Sequence, residues 1–160
     1  MQQPINDVGD KLLILYGEGM HLVRIELENF KSFMGELVID LEEGFTAITG
    51  PNGSSKSNSG DAIQFVLGTR STKSLRAQNV KELIFNGGSR SKPAKSCMVT
   101  LIFDNPPNDS GERRLKVDAE EVCFTRAVKL NSKGAAVSAY RLNDRPSSST
   151  EFRRLLIEAG

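Results

Sequence analysis

Alternating apolar and polar residues near the start of the chain predict a half-buried β-strand. From Val23 to Phe30 the side chains follow the two-residue period of a strand that packs one face on a core. A second strand is predicted at 37–41, after a connection across Gly35. A third, at 45–49, is apolar on both faces, as in a strand buried within a sheet. This part of the chain is therefore predicted to form a sheet.

The period becomes helical at Lys56. A helix is predicted up to Gly68, which is a typical helix stop. Residues 69–79 are polar and basic and predict a loop, and 80–85 predict a short helix or turn. The apolar stripe of the predicted helix consists of Ala62, Ile63, Val66 and Leu67.

The second half of the chain has the pattern of an antiparallel sheet followed by a helix. Strands are predicted at 97–103, 121–130 and 139–143. Ser148 and Glu151 have the S-x-x-E spacing of a capping box, in which each side chain satisfies a free backbone N–H group. The final helix is predicted to start there, with one apolar face formed by Phe152, Leu155, Leu156 and Ala159. We therefore expect an α/β fold with α+β elements.

Residues 1–19 are predicted to be an extension that is poorly ordered, and the domain is expected at 20–160. The alternative is that residues 12–16 add an edge strand. Residues 1–10 carry two Asp and no basic residue, unlike a secretory signal, and the apolar run 12–16 is too short to span a bilayer. A cytoplasmic protein is expected.

Charge and cysteine content narrow the possible functions only slightly. Lys and Arg number 21 against 20 Asp and Glu, a net charge of +1, which excludes a uniformly basic chain but not local basic patches. Cys97 and Cys123 lie in predicted strands and outside any C-x-x-C motif, so we interpret both as buried, reduced thiols. His21 is the single histidine, so a zinc site would lack ligands.

The segment Gly50–Ser57 carries the clearest chemistry. Its sequence G-P-N-G-S-S-K-S matches the phosphate-loop pattern G-x-x-x-x-G-K-[ST] at every fixed position except Ser55. Backbone N–H groups of such a loop surround a phosphate, and the helix N-terminus adds partial positive charge. Lys56 would reach the β- and γ-phosphates, and the Ser57 hydroxyl would ligate Mg²⁺. The alternative is a Gly/Ser-rich loop that only caps the helix.

Ser55 weakens the prediction of activity more than that of fold. Glycine at this position permits a backbone conformation that a residue with a Cβ adopts at a cost of about 1–3 kcal/mol. If that cost falls wholly on the bound state, nucleotide affinity drops roughly tenfold to a hundredfold.

Several separated segments, in the same order, resemble the head domain of structural maintenance of chromosomes (SMC) proteins, mainly prokaryotic ones. The resemblance extends over about residues 20–160. The segments are V-R-I-E-L-E-N-F-K-S-F at 23–33, G-F-T-A-I-T-G-P-N-G at 44–53, K-S-N at 56–58, D-A-I at 61–63, F-V-L-G at 65–68, S-L-R-A at 74–77, L-I-F-N-G-G at 83–88 and Y-R-L-N at 140–143.

This resemblance implies a P-loop NTPase fold, namely the amino-terminal half of an ABC-type ATPase head with a mixed sheet and an antiparallel β-subdomain. The family's heads form from both ends of a chain that contains a long coiled coil. The implied cofactors are ATP and Mg²⁺. The implied partners are chromosomal DNA, a second head in a homodimer, the carboxy-terminal half of the same head and a kleisin-type subunit, in a nucleoid-associated protein of the cytoplasm.

Residue roles carried over by position follow the matching motifs. Lys31 and Ser32 would lie near the nucleotide, and Arg76 would be the auxiliary arginine of a loop that couples DNA to ATP hydrolysis. Without the resemblance, Arg76 would be interpreted as a solvated surface residue. The residues expected to hold the phosphates are Pro51, Asn52, Gly53, Ser54, Ser55, Lys56, Ser57 and Asn58.

The sequence lacks the glutamine loop, the signature motif and the Walker B carboxylates of a complete head. Asp104 ends an apolar strand before Asn105-Pro106, so we interpret it as a strand-end residue. This segment alone is expected to bind nucleotide at most, because nothing in it positions the attacking water.

Three alternatives remain. One is a degenerate head that acts as a docking module, which Ser55 favours. The second is the head of a related coiled-coil DNA-repair ATPase, and the third, less favoured, is a transporter nucleotide-binding subunit. Three basic clusters could contact DNA phosphates. An ordinary solvated surface is an equally good interpretation of the same clusters. The clusters are Arg70, Lys73, Arg76 and Lys81; Arg90, Lys92 and Lys95; and Arg113, Arg114 and Lys116.

Overall fold

A computed structural model describes residues 16–17, 20–42, 56–68, 75–89 and 91–159. The predicted strand at 45–49 and the loop residues Pro51–Ser55 lie outside these ranges, as do the basic residues Arg70, Lys73 and Arg90. Most of the extension 1–19 lies outside them as well. Within it, residues 16–17 form a short strand that pairs with residues 20–21, which agrees in part with the edge-strand alternative.

Seven strands form the sheet of the described residues. They are β1 (Tyr16–Gly17), β2 (Met20–Glu28), β3 (Glu36–Asp40), β4 (Ser96–Asp104), β5 (Glu121–Leu130), β6 (Ala136–Leu142) and β7 (Arg145–Ser147). Their order is β1-β2-β4-β5-β6-β7, with β3 beside β2, and every pairing among them is antiparallel. The helices are α1 (Lys56–Leu67) and α2 (Ser149–Ala159), and a 3₁₀ turn spans Val80–Leu83.

β3 and β4 start one residue before their predicted positions, and β2 and β6 start three residues before theirs. β2 begins at Met20, and Met20 and Leu22 are buried like Ile25 and Leu27, because the register with β4 shifts between Leu22 and Arg24. β6 begins at Ala136 instead of 139, and its first residues are exposed although they pair with β5. Backbone pairing with β5 beyond the Asn131 turn sets this start. Because the residues involved are exposed, no hydrophobic pattern in the sequence marks it.

Both helices pack on one face of the sheet. Phe124 of β5 contacts Phe103 and Phe152 edge to face, with ring centroids 5.7 and 4.9 Å apart. Arg126, two residues further along β5, is buried under α1 and donates a 2.8 Å hydrogen bond to the carbonyl oxygen of Phe65. Its guanidinium carbon lies 4.4 Å from the Phe65 ring centroid, and burial lowers the pKa of this side chain. Arg126 thus joins α1 to the sheet.

The predicted capping box at α2 is confirmed for Ser148 and wrong for the Glu151 side chain. The Ser148 hydroxyl accepts a 3.2 Å hydrogen bond from the backbone N–H of Glu151, as predicted. The Glu151 carboxylate instead accepts bonds from the Ser147 hydroxyl at 2.7 Å and from Arg145 at 2.8 Å. These two donors favour the ionised form and lower the pKa of Glu151, with the Ser147 bond as the larger cause.

The prediction for the two thiols is confirmed for Cys97 and only partly for Cys123. Cys97 is fully buried, whereas Cys123 is half-buried on the opposite face of the sheet from Phe124. Burial raises the pKa of the Cys97 thiol to about 12, and burial also raises the pKa of Cys123. Neither helix of the described residues has the length and apolar character needed to cross a membrane.

Candidate nucleotide site around the start of α1

Helix α1 begins at the Lys-Ser of the phosphate-loop motif. Lys56 is its first residue, and Ser57 is exposed in the first turn, which contains no acidic residue. The first backbone N–H groups of a helix lack intrahelical partners and carry partial positive charge, so this end suits an anion. The loop residues Pro51–Ser55 and the side chain of Lys56 lie outside the described part of the structure.

A tight loop follows β2 beside this helix. Asn29 has φ 48° and exchanges two hydrogen bonds with Gly35, each 2.9 Å long. Phe30 is completely buried and contacts the Phe65 ring of α1, with centroids 5.2 Å apart. Lys31 has φ 53°. The buried ring and the two bonds therefore hold this loop against α1.

The same loop is bonded to the segment that carries Arg76. The Lys31 N–H donates to the Leu83 carbonyl oxygen at 2.8 Å, and the Phe85 N–H donates to the Asn29 carbonyl oxygen at 2.8 Å. Phe30 and Ile84 form an isolated antiparallel bridge. Three segments distant in sequence thus meet at the amino-terminal half of α1.

Their side chains converge on Asp61. The Lys31 ammonium and the Arg76 guanidinium both bind the same carboxylate oxygen, Oδ2, the latter at 2.6 Å. The Lys31 ammonium also donates to the Leu75 carbonyl oxygen at 2.9 Å. The Asp61 side chain is 9% exposed, that of Lys31 14% and that of Arg76 55%. We call Lys31, Asp61 and Arg76 the ion cluster.

A second polar contact lies nearer the start of the helix, where Asn58 Nδ2 donates to the Ser32 hydroxyl at 2.7 Å. The structure therefore brings Lys31, Ser32, Asn58 and Arg76 to one surface around α1. Sequence reasoning missed the role of Asp61, which was noted only as part of a matching motif. The available signal was a carboxylate beside the apolar stripe, since a buried carboxylate needs a cationic partner.

The basic cluster at 113–116 has partners of its own within the described residues. Arg113 lies 3.7 Å from Asp118, Lys116 lies 3.9 Å from Glu112, and Arg114 donates to the Ala159 carbonyl oxygen, so acidic and carbonyl groups offset this basic cluster. Asp104 is the last residue of β4, as predicted, and lies 3.1 Å from His21. The described residues contain no group of three or more metal-ligating side chains.

The sheet with α1 beside it corresponds to the fold of a P-loop NTPase head. The family model of the RecF/RecN/SMC N terminal domain matches residues 21–160. The chain therefore belongs to the SMC family, and the resemblance found in the sequence is confirmed.

Curated relatives agree with this assignment. The chain is 38% identical over 141 residues to a Chromosome partition protein Smc of Fusobacterium nucleatum, and 39% identical over 140 residues to one of Pyrococcus furiosus. These matches cover 88% and 87% of this chain. The chain spans only 11% of the length of each relative.

Solved structures show the same fold. An SMC ATPase chain, described in terms of ATP-driven dimerization and DNA-stimulated activation, matches with a TM-score of 0.75 and 41% identity. That match covers 86% of this chain and 78% of the solved one. An Smc head from P. furiosus, bound to the C-terminal domain of ScpA, matches with a TM-score of 0.75 and 39% identity over 88% of this chain and 33% of the other.

Proposed function

We propose that this chain is the amino-terminal part of an SMC head that binds ATP and Mg²⁺ and acts on chromosomal DNA in the cytoplasm. One observation carries the proposal: Lys31, Ser32, Asn58 and Arg76 gather around the start of the helix that begins at the Lys-Ser of the phosphate-loop motif. This arrangement places cationic and hydroxyl groups beside the first two turns of the helix, whose positive end suits a polyphosphate.

The residues present fit the nucleotide. The chain from Pro51 to Asn58 would enclose its phosphates, Lys56 would contact the β- and γ-phosphates, and the exposed Ser57 hydroxyl would hold Mg²⁺. Bound ATP would supply the phosphoryl group for transfer to water. The chain's own side chains would bind and orient it, while the residue that positions water would come from the carboxy-terminal half.

The partners proposed are that half, a second head, a kleisin-type subunit and DNA. Support comes from relatives whose descriptions mention dimerization, DNA-stimulated activation and binding to ScpA. The proposal assigns Arg76 to the coupling of DNA and hydrolysis, and its side chain is exposed enough to meet a partner.

Titration with MgATP tests nucleotide binding. We expect the full-length gene product to bind MgATP with a dissociation constant of about 1 μM, corresponding to about −8 kcal/mol. Lys56→Ala should weaken binding at least about tenfold, because it removes a charge-assisted contact to the phosphates. Ser57→Ala should reduce the Mg²⁺ dependence of binding. Unchanged affinity in Lys56→Ala would contradict the proposed site.

A second candidate function, a degenerate head that serves as a docking module, is favoured by Ser55. The same titration with Ser55→Gly separates the two functions. Micromolar binding by the unmodified protein rules out the degenerate head. Binding that appears only in Ser55→Gly supports it.

A further inference from the structure

The ion cluster holds one more positive charge than its carboxylate neutralises. Asp61 contributes one negative charge, while Lys31 and Arg76 contribute two positive charges through the same oxygen atom. Asp61 is nearly buried, and ordinary pairing would require only one cation. Among the described residues no second carboxylate pairs with Lys31 or Arg76, so the cluster carries a net positive charge.

The position of this charge follows from helix geometry. Asp61 comes four residues after Ser57 on α1, so it lies one turn, or roughly 6 Å, further along the helix axis. Residues at this spacing occupy the same side of a helix. The charge of the cluster therefore lies on the side of α1 that carries Ser57, within reach of a polyphosphate bound at the helix start.

Backbone geometry shows that both cations are held in place. Lys31 and Arg76 have φ of 53° and 52°, in the left-handed region that residues with a Cβ rarely adopt. Such conformations persist where surrounding contacts impose them, and they concentrate at functional sites. Here the Lys31 ammonium also bonds the carbonyl of Leu75, the residue before Arg76. The two cations are thus linked through Asp61 and through the backbone.

We propose that Asp61 is a positioning residue for the nucleotide site: it joins Lys31 and Arg76 into one unit that acts on the phosphates of bound MgATP. This inference rests on the proposed function. Because both cations bind the same carboxylate oxygen, movement of one side chain changes the position of the other. Without Asp61, the local positive charge increases by one, but the two side chains lose their common orientation.

A double-mutant cycle on the full-length gene product tests the inference. MgATP affinity, kcat and KM for ATP hydrolysis are measured for Asp61→Asn, Arg76→Met and the double variant. We expect each single substitution to lower kcat about tenfold and the double substitution to be no worse than either one, since residues that act as a unit are not additive. MgATP affinity should be unchanged or tighter in Asp61→Asn, because positive charge is gained.

Two controls separate positioning from general structural damage. Asp61→Glu keeps the charge and should recover part of the lost kcat. Arg154→Met removes an arginine of matching exposure, 58%, that pairs with Glu158 on α2, and should leave kcat unchanged. Urea unfolding without nucleotide should show coupling between Asp61 and Arg76 and none between Asp61 and Arg154.

The possible failures are distinguishable. If the wild-type protein binds no MgATP, both the proposed function and this inference fall. If it binds and hydrolyses ATP but the effects of Asp61→Asn and Arg76→Met multiply, only the inference is wrong. A raised KM with unchanged kcat in Asp61→Asn also overturns it. Should Asp61→Asn fail to fold, a cycle between Lys31→Met and Arg76→Met decides the question, since independent effects there contradict a single unit.

Discussion

The sheet beneath α2 and the surface around the start of α1 are held together by different forces. Beneath α2, Phe103, Phe124, Phe152 and Tyr140 form a continuous series of edge-to-face ring contacts with centroids 4.9–5.7 Å apart. Around α1, one buried ring contact, Phe30–Phe65, is supplemented by the ion cluster, a Ser32–Asn58 bond and backbone bonds that join three segments. Apolar packing is non-directional, whereas hydrogen bonds and left-handed residues fix orientation. The first region therefore supplies stability and the second supplies geometry.

The largest expected effect lies in the ring series. Phe124→Ala should lower the free energy of unfolding by about 3–5 kcal/mol, because it leaves a cavity against both Phe103 and Phe152. Urea denaturation followed by circular dichroism measures the change. Val137→Ala is the control, since Val137 is 54% exposed and should change stability by less than about 0.5 kcal/mol. A loss below about 1 kcal/mol for Phe124→Ala would show that these rings are not the main source of stability.

An intermediate effect is expected in the loop after β2. Asn29→Ala removes the bond to the Gly35 N–H and places a less tolerant residue at φ 48°, so about 1–3 kcal/mol of stability should be lost. Asn29→Gly removes the same bond but adopts this φ easily, and should lose less. The comparison is again made by urea denaturation. If glycine proves as damaging as alanine, backbone strain at Asn29 does not contribute.

The smallest expected effect concerns pH at the start of α2. The folded state lowers the pKa of Glu151 through Ser147 and Arg145, so this stabilisation is present above the unfolded pKa of about 4.3 and is lost as pH falls through the lowered value. Unfolding free energies of wild type and Glu151→Gln should differ by no more than about 1 kcal/mol at neutral pH. The difference should vanish in acid. A constant difference across this pH range would exclude ionisation of Glu151 as its cause.

Sequence patterns predicted the apolar region better than the polar one. The strand predicted at 121–130 is observed as β5 at Glu121–Leu130. The prediction succeeded because alternating burial requires alternating apolar and polar residues in the sequence. The direction of the Glu151 carboxylate was predicted wrongly, since neighbouring donors competed for it. The role of Asp61 was missed because its partners Lys31 and Arg76 are distant in sequence and meet only in the fold. Family resemblance named Lys31 and Arg76 but gave no contact between them.

The pairing of β2 with β4 has a consequence for how the protein reaches its native state. The bond between His21 and Asp104 joins positions 83 residues apart, and everything between them must be looped out before the two strands meet. Closing so long a loop costs conformational entropy before the contacts between the strands form. Folding therefore slows as contacts become more distant in sequence. During synthesis on the ribosome, the edge of β2 that pairs with β4 therefore stays uncovered until β4 has been made. Until then that strand edge is open to association with other chains.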